Sequence, residues 1–246
     1  MKAAVVTANG LALADVDIPK PGPREVLVKV HACALNRADL GVIAGHHHGS
    51  QGGIGAIPGI EWAGEVIATG PDVQRFKKGD RVMCGGAGGY AEYAVSDWGR
   101  TMPVPSGNVS WETAATLSVG LNTMHDALVT NGQLQAGQAV LIQGASSGVG
   151  LMALQIAKFM GAGLGRLGGT KGEFDFDLHA ARRITYVGVT FRTRSAEEVQ
   201  EITRRTTADL WPAIEAGKFQ LPIDRTYRLA DVLDAAAHMK ANAHFG

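Results

Sequence analysis

The chain has 246 residues, of which 46% are hydrophobic and 19% charged, a composition typical of a globular protein with its own core. Its 23 Lys and Arg balance its 23 Asp and Glu, which excludes the basic surface that nucleic acid or an anionic lipid surface would require. Signal-peptide and membrane-span patterns are absent, and the two cysteines, Cys33 and Cys84, cannot build a disulfide framework. We therefore expect a cytoplasmic protein of one large or two modest domains, without nucleic-acid or membrane partners.

The first part of the chain, residues 1–105, has the pattern of short β-strands separated by glycine and proline. Residues 25–32 alternate in part between apolar and polar side chains, as a half-buried strand does. Residues 64–70 are a short apolar run between glycines, and residues 77–83 and 90–95 each add another strand signal. Many short strands with this punctuation predict a compact, barrel-like β-domain.

Residues 111–130 change to helical spacing, and they lead into the most informative segment, Ala-Val-Leu-Ile-Gln-Gly-Ala-Ser-Ser-Gly-Val-Gly at 139–150. This segment is a short apolar strand followed by a glycine turn, and an amphipathic helix continues over 151–160. The order strand, glycine turn, helix is the arrangement that holds the pyrophosphate of a dinucleotide. An ordinary strand-to-helix turn is the alternative.

Each glycine of this turn has a physical role. Gly144 suits the tight turn, Gly148 lets the backbone approach a phosphate, and Gly150 lets the helix pack closely on the strand. We expect backbone N–H groups of the turn to bind the pyrophosphate, with the serine hydroxyls as further donors. The residues predicted to do so are Ala145, Ser146, Ser147, Gly148, Val149 and Gly150.

Further along the chain, a glycine-rich stretch occupies residues 161–169, and residues 184–191 have the pattern of a strand. A helix with a charged face is predicted from Ser195 to Gly217, where Ser195 and Glu198 have the spacing of a capping box. Residues 230–241 predict a last helix.

Several motifs together resemble the medium-chain dehydrogenase/reductase superfamily, specifically its zinc-free, quinone oxidoreductase-like branch. They are Cys-Ala-Leu-Asn-Arg-Ala-Asp-Leu at 33–40, Pro-Gly-Ile-Glu-Trp-Ala-Gly-Glu-Val at 58–66, Phe-Lys-Lys-Gly-Asp-Arg-Val at 76–82, the glycine turn, Gly-Tyr-Ala-Glu-Tyr at 89–93 and Asn-Ala-His-Phe-Gly at 242–246. The similarity follows the same order and runs over nearly the whole chain.

The resemblance implies an α/β fold with a GroES-like β-barrel domain, residues 1–115 with 223–246, beside a Rossmann domain with a doubly wound parallel sheet, residues 116–222. The active site would lie in the cleft between them. The implied reaction is hydride transfer from NADPH, with NADH as the alternative coenzyme, to a quinone or an activated carbon–carbon double bond of an enone or enal. A homodimer through the strand near 186–191 is also implied.

The resemblance also implies site residues. Asn36 would contact the ribose on the nicotinamide side, and Thr123 would bind near the nicotinamide phosphate. Gly168 and Phe191 would border the nicotinamide, and Asn242 would reach the coenzyme. For Asn36, Thr123 and Asn242 the alternatives are an Asx-turn, a hydroxyl bonded to its own helix and an ordinary surface residue.

Three residues are predicted to contact the substrate: Arg37, His46 and Trp62. For Trp62 the alternative is an aromatic side chain of the core or the domain boundary. Reduction produces an oxyanion that later needs a proton, and no residue stands out as its donor. The resemblance offers four candidates by family position, Arg37, Asp39, Tyr90 and His46, and solvent is the alternative.

Neither catalytic nor structural zinc is expected. Zinc-dependent relatives carry a cysteine near the position of Arg37 and Gly-His-Glu where residues 58–61 stand, and neither is present. The histidines at 46–48 are adjacent, so their side chains converge poorly on one ion.

The chain departs from the family after the helix at 151–160, which should lead into the second Rossmann strand. It passes instead to residues 165–169, which resemble the loop after the fifth strand, so roughly 75 residues at about 30 per strand–helix unit are absent. The sequence as given omits a stretch of the molecule, the gene carries a natural or engineered deletion, or the chain is a non-catalytic remnant. We favour omission, because the flanking segments fit a complete fold. The Rossmann sheet is accordingly expected to be truncated, or its sequence incomplete.

Two other functions fit parts of this sequence. A short-chain dehydrogenase also uses this glycine turn, but it requires a Tyr-x-x-x-Lys pair, and none of the four tyrosines has Lys four residues on. A truncated reductase homologue would instead act as a nucleotide-binding or oligomerising scaffold.

Overall fold

A computed structural model describes residues 1–47, 51–167, 177 and 189–244, with only the backbone given at 164–167. Within these ranges the strands of the first part pair antiparallel throughout, as the barrel-like prediction requires. A hairpin is formed by β1 (Lys2–Thr7) and β2 (Gly10–Asp15). A second sheet has the order β6-β3-β4-β5-β7, with β3 (Glu25–Ala34), β4 (Glu61–Thr69), β5 (Arg81–Gly85), β6 (Tyr93–Asp97) and β7 (Thr101–Pro103).

The larger sheet curls because its two central strands are irregular. The register between β3 and β4 shifts at Leu27/Val28 and again at Val30/Ala32, and such bulges bend a strand and increase its twist. The curl encloses an apolar core that includes Val26, Val28, Trp62, Val66, Val82 and Cys84. The strands predicted over 25–32 and 64–70 are confirmed as β3 and β4. The turn before a strand that 77–83 predicts is confirmed too, with the strand starting at Arg81. The last predicted strand begins at Tyr93 rather than at Tyr90, since the backbone of Tyr90 and Ala91 pairs with β1 instead.

Short helices connect the barrel to the rest of the chain. Helix α1 (Arg37–Ile43) follows β3. The helical pattern of 111–130 is confirmed as α2 (Trp111–Ala115), α3 (Ser118–His125) and a π-helical turn over Asp126–Asn131.

The predicted strand–turn–helix unit is present as β8 (Ala139–Gln143) and α4 (Gly148–Phe159). One expectation beside it was wrong. Residues 165–169 resemble a loop, but Gly163–Leu167 form a strand, β9, that pairs in parallel with β8 from Ala139↔Gly163 to Gln143↔Leu167, and 168–169 lie outside the described residues. Gly161, with φ +76°, turns the chain after α4 so that it returns beside β8. The chain thus completes one β-α-β unit.

Two helices end the described chain. The helix predicted from Ser195 is confirmed as α5 (Ala196–Glu215), and its capping box is formed by Ser195 and Glu198 in both directions, at 2.7 and 3.2 Å. The last helix is α6 (Val232–Lys240), preceded by a 3₁₀ turn at Leu229–Asp231. Residues 184–188 of the predicted strand 184–191 lie outside the described residues. None of the helices in the described ranges is both long and apolar enough to cross a bilayer.

Two apolar clusters join the parts. One brings Met83 and Met102 of the barrel against Leu121, Met152, Ile156, Leu210 and Ile214 of the helices. The other places Val232 of α6 against Val6, Leu11, Val42 and Tyr90. Helix α6 therefore packs on the barrel after the chain crosses back from α5.

Candidate coenzyme cleft

A cavity of about 890 Å³ opens where three parts of the chain meet. The barrel contributes the end of β3 and the start of α1, including Asn36 and Arg37. The glycine turn contributes Ser146–Val149, and the returning segment contributes 221–229 and part of α6. This volume lies in the range of small-molecule and cofactor sites.

The glycine turn has the local geometry that its sequence predicts. Gly144 has φ +70°, a conformation that favours glycine. A Cβ on Gly150 would lie 2.3 Å from the carbonyl oxygen of Gly144, so only glycine lets α4 approach the turn this closely.

Ser147 has a different role from the one predicted for its hydroxyl. Its Oγ accepts from the N–H of Gly150 at 3.1 Å and donates to the carbonyl oxygen of Gly144 at 2.8 Å. The hydroxyl proton is therefore used inside the turn, where Ser147 caps α4. Ser147 therefore lines the cleft beside the open amides, but its hydroxyl donates no hydrogen bond into the cleft.

The open amides belong to Gly148 and Val149, at the first two positions of α4. Within the described part of the chain, neither N–H group has a protein acceptor, and both residues line the cavity. Unpaired N–H groups and the positive end of a 12-residue helix attract an anion to this point. Ala145 is buried in the small core beneath the turn instead.

Gly150→Ala tests the tight packing of the turn. The added methyl group would meet the backbone of Gly144 and Ala145, so we expect a loss of about 2 kcal/mol in the free energy of unfolding, measured by urea denaturation. Gly41→Ala is the matched control, because this helical glycine has open space around it and should be neutral or stabilised. Equal stability of the two variants would contradict the packing role.

On the barrel side of the cleft, Asn36 and Arg37 are held by neighbours. The Asn36 Nδ2 donates to Oε2 of Glu61 at 3.3 Å, and Arg37 contacts the side-chain oxygen of Asn242. Glu61 lines the cavity, although only 3% of the residue is exposed. Burial raises the pKa of Glu61 to about 7, and the nearby Asp39 adds to this effect against hydrogen bonds from Val119, Asn36 and Ser118.

Asp39 and Tyr90, two of the candidate proton donors, instead hold the loop at Gly59 and Ile60 beside the cleft. The Tyr90 hydroxyl donates to Asp39 at 2.9 Å, and Asp39 also accepts from the N–H groups of Asn36, Gly59 and Ile60. Burial, followed by the charge of Asp39, raises the pKa of Tyr90 well above its usual range. Burial also raises the pKa of Asp39, although its hydrogen bonds oppose the shift. The Tyr90 hydroxyl proton is held in the hydrogen bond to Asp39, so this pair is poorly suited to protonate a substrate.

The remaining predicted residues lie elsewhere. Trp62 is fully buried in the barrel core, packed on Gly86 and Gly89, so the expectation of substrate contact is corrected to a core position. His46 is exposed, and neither it nor the half-buried Thr123 and Phe191 lines the cavity. Gly168 lies outside the described residues.

The sequence reasoning missed most of the returning segment. Residues 221–229 line one wall, where Asp224 accepts a hydrogen bond from Nε2 of His238 at 2.8 Å. His244 lies near His238. The segment 221–229 has no helical or strand periodicity that would mark it in the sequence. The only signal near this wall of the cavity was the family resemblance at 242–246.

Comparison with known proteins agrees with this architecture. The model of the alcohol dehydrogenase GroES-like domain matches residues 22–106, and the zinc-binding dehydrogenase model matches residues 118–246. Quinone oxidoreductase of Rattus norvegicus is 38% identical over 162 residues, which are 65% of this chain and 49% of that protein. The chain thus spans about half the length of the curated relatives it matches.

Solved structures show the same fold. An alcohol dehydrogenase superfamily protein from Novosphingobium aromaticivorans has a TM-score of 0.85 at 25% identity, covering 98% of this chain and 95% of that one. A mycobacterial protein complexed with NADPH has a TM-score of 0.79 at 22% identity, covering 100% and 98%. Both agree with a GroES-like barrel beside a Rossmann domain. The chain belongs to the zinc-binding dehydrogenase family, within the quinone oxidoreductase-like medium-chain dehydrogenases/reductases.

Proposed function

We propose that this protein is an NADPH-dependent oxidoreductase that reduces a quinone or the activated double bond of an enone or enal. The observation that carries the proposal is the pair of open amides, Gly148 and Val149, at the start of α4 and at the wall of the cavity. The quinone oxidoreductase relatives and the NADPH-bound mycobacterial structure support the choice of coenzyme and reaction. NADH remains the second candidate coenzyme.

Different residues would bind the diphosphate and the ribose of the coenzyme. Ser146–Val149 would hold the diphosphate, and Asn36 would hold the ribose on the nicotinamide side. NADPH, when bound, supplies a hydride. The chain's part is to place the acceptor carbon against it, and such positioning accounts for much of the catalysis of cofactor enzymes. Solvent would supply the proton, since Asp39 and Tyr90 are occupied with each other.

We propose a division into two domains, one for the coenzyme and one for the acceptor. Residues 116–222 would carry the coenzyme, and residues 1–115 with 223–246 would carry the acceptor. The packing of Val232 on the barrel supports assigning the last helix to the substrate side. The proposed dimer contact at 186–191 stays a prediction, because 186–188 lie outside the described residues.

We propose that the reaction proceeds without zinc. Among the described residues, no three His, Cys, Asp or Glu side chains gather as a metal site would require. Both cysteines, Cys33 and Cys84, are unpaired, which supports the cytoplasm as its compartment.

A scaffold without catalysis is the second candidate. Two observations support it. The sheet formed by the described part of the Rossmann domain has only two strands, β8 and β9, and the chain covers about half the length of its relatives. Such a chain would bind a nucleotide weakly or only associate with itself.

The experiment separates these functions. The purified chain is titrated with NADPH and then given a simple quinone or an enone, while the absorbance of the reduced nicotinamide is followed against a protein-free control. Saturable binding with acceptor-dependent oxidation is the expected result. Binding without oxidation would favour the scaffold, and the absence of saturable binding would overturn the proposal.

A further inference from the structure

A hydrogen-bonded histidine and aspartate lie on the wall of the cavity. Asp224 belongs to the returning segment, and His238 stands in the last turn of α6. Nε2 of His238 donates to Oδ2 of Asp224 at 2.8 Å. The side chain of His238 is 17% exposed and that of Asp224 is 27% exposed, so the pair is partly sheltered while both residues line the cavity. None of the proposed coenzyme contacts involves this pair.

Asp224 fixes which nitrogen of the ring is free. The hydrogen bond from His238 lowers the pKa of Asp224, and burial opposes this shift while Arg225 adds to it. An ionised carboxylate only accepts, so Nε2 keeps its proton whether the ring is neutral or cationic, and Nδ1 is the nitrogen that gains and loses a proton. Tyr227 and His244 pack near the ring, with centroids at 6.3 Å in each case. None of the described residues forms a hydrogen bond with Nδ1.

The pair lies near the residues proposed to hold the reacting half of the coenzyme. His238 comes one helical turn before Asn242, whose side-chain oxygen contacts Arg37. Arg37 is next to Asn36, the residue proposed to hold the ribose on the nicotinamide side. All four residues line the cavity that Ser146–Val149 also line. The imidazole therefore faces the space in which coenzyme and acceptor are proposed to meet.

The proposed reaction needs a proton as well as a hydride. Transfer of a hydride to the β-carbon of an enone moves the electron pair of the double bond into an enolate, and transfer to a quinone leaves a hydroquinone monoanion. Each anion takes up one proton. A histidine oriented by a carboxylate is a recurring device for moving such a proton. Asp39 and Tyr90 hold their proton between them, whereas His238 has a nitrogen open for transfer.

We propose that His238 passes the proton that solvent supplies to the reduced acceptor, and that Asp224 is the positioning residue that keeps Nδ1 free for this transfer. The Nδ1–H bond of the cationic ring breaks as the proton moves to the enolate or the hydroquinone oxygen. The ring is left neutral, and a proton from solvent restores the cation. The charge of Asp224 stabilises the cationic ring before transfer. The inference rests on the proposed function, since coenzyme and acceptor must meet in this cavity.

The first test needs neither coenzyme nor activity. ¹H–¹⁵N spectra of the intact chain, labelled with ¹⁵N-histidine, are recorded at about pH 9, where neutral imidazole prevails. The ring of His238 is assigned by its absence from His238→Ala. It should be held in the tautomer protonated at Nε2, and Asp224→Ala should release it into a mixture of both tautomers. The control is Asp234→Ala, an exposed residue of α6 outside the cavity wall, which should leave the tautomer unchanged. A wild-type ring protonated at Nδ1 overturns the inference.

The second test measures turnover of NADPH with an acceptor that the wild type reduces. His238→Ala should lower kcat about 100-fold, the smaller end of what a general acid contributes, with unchanged NADPH affinity, and added imidazole should restore part of the loss. Asp224→Asn, which keeps an acceptor but loses the charge, should lose about tenfold. The matched control is Lys240→Ala, an exposed residue in the same turn of α6, which should match the wild type.

The outcomes separate the inference from the proposed function. Undiminished kcat in His238→Ala overturns the inference alone, and so does a loss that imidazole does not rescue and that comes with weaker NADPH binding, because that is the mark of a structural role. If His238→Ala does not fold, undiminished kcat in Asp224→Asn overturns it. A wild type that oxidises no NADPH overturns the proposed function and the inference together.

Discussion

Replacing Gly148 with aspartate is expected to lower NADPH affinity by at least about 100-fold, which in practice removes measurable binding. Gly148 lines the cavity at the open amides, and an added carboxylate at this residue would repel the diphosphate proposed to bind there. Aspartate in the first turn of a helix is otherwise favourable, so the fold should survive the change. Binding is measured by quenching of tryptophan fluorescence on titration with NADPH.

Two variants make this result specific. Gly107→Asp adds the same charge at an exposed glycine with open space around it and should bind as the wild type does. Gly148→Ala adds only a methyl group and should fall between the two. Undiminished affinity in Gly148→Asp would show that the diphosphate does not lie at this turn.

Asp39→Ala is expected to cost about 4 kcal/mol in the free energy of unfolding, the largest stability effect that this account predicts. Asp39 is 1% exposed. Its removal would leave four buried or half-buried donors without their acceptor, namely the N–H groups of Asn36, Gly59 and Ile60 and the hydroxyl of Tyr90. Urea denaturation measures the loss, and a lower midpoint of thermal unfolding should accompany it.

The control is Asp15→Ala, since this side chain is 72% exposed and pairs with Lys2 at the surface. It should change stability by less than about 1 kcal/mol. A double variant with Tyr90→Phe adds a sharper check, because the phenol donates to Asp39 and the two losses should then be less than additive. Full additivity, or an Asp39→Ala variant as stable as the wild type, would contradict the network.

The parts of the fold that sequence predicted well are those fixed by neighbouring residues. The glycine turn, the Ser195 capping box and the strand at 25–34 each depend on residues a few positions apart. The strand β9 was missed because Gly-Leu-Gly-Arg-Leu has little intrinsic preference for a strand. Its pairing with β8, across the helix between them, makes it one.

Only part of the site was predicted from the sequence. Asn36, Arg37 and Asn242 do meet at the cleft, although their positions came from a family resemblance rather than from spacing. Trp62 could not be placed from a motif, because one step along β4 decides whether a side chain faces the core or the cavity. Glu61 was passed over because its role depends on α3, which approaches it only in the folded chain.

The most direct test of the central claim is a crystal structure of the intact chain soaked with NADPH. The account predicts the diphosphate within about 3 Å of the amide nitrogens of Gly148 and Val149, the distance of a hydrogen bond. Density for the diphosphate at any other place in the molecule would contradict it.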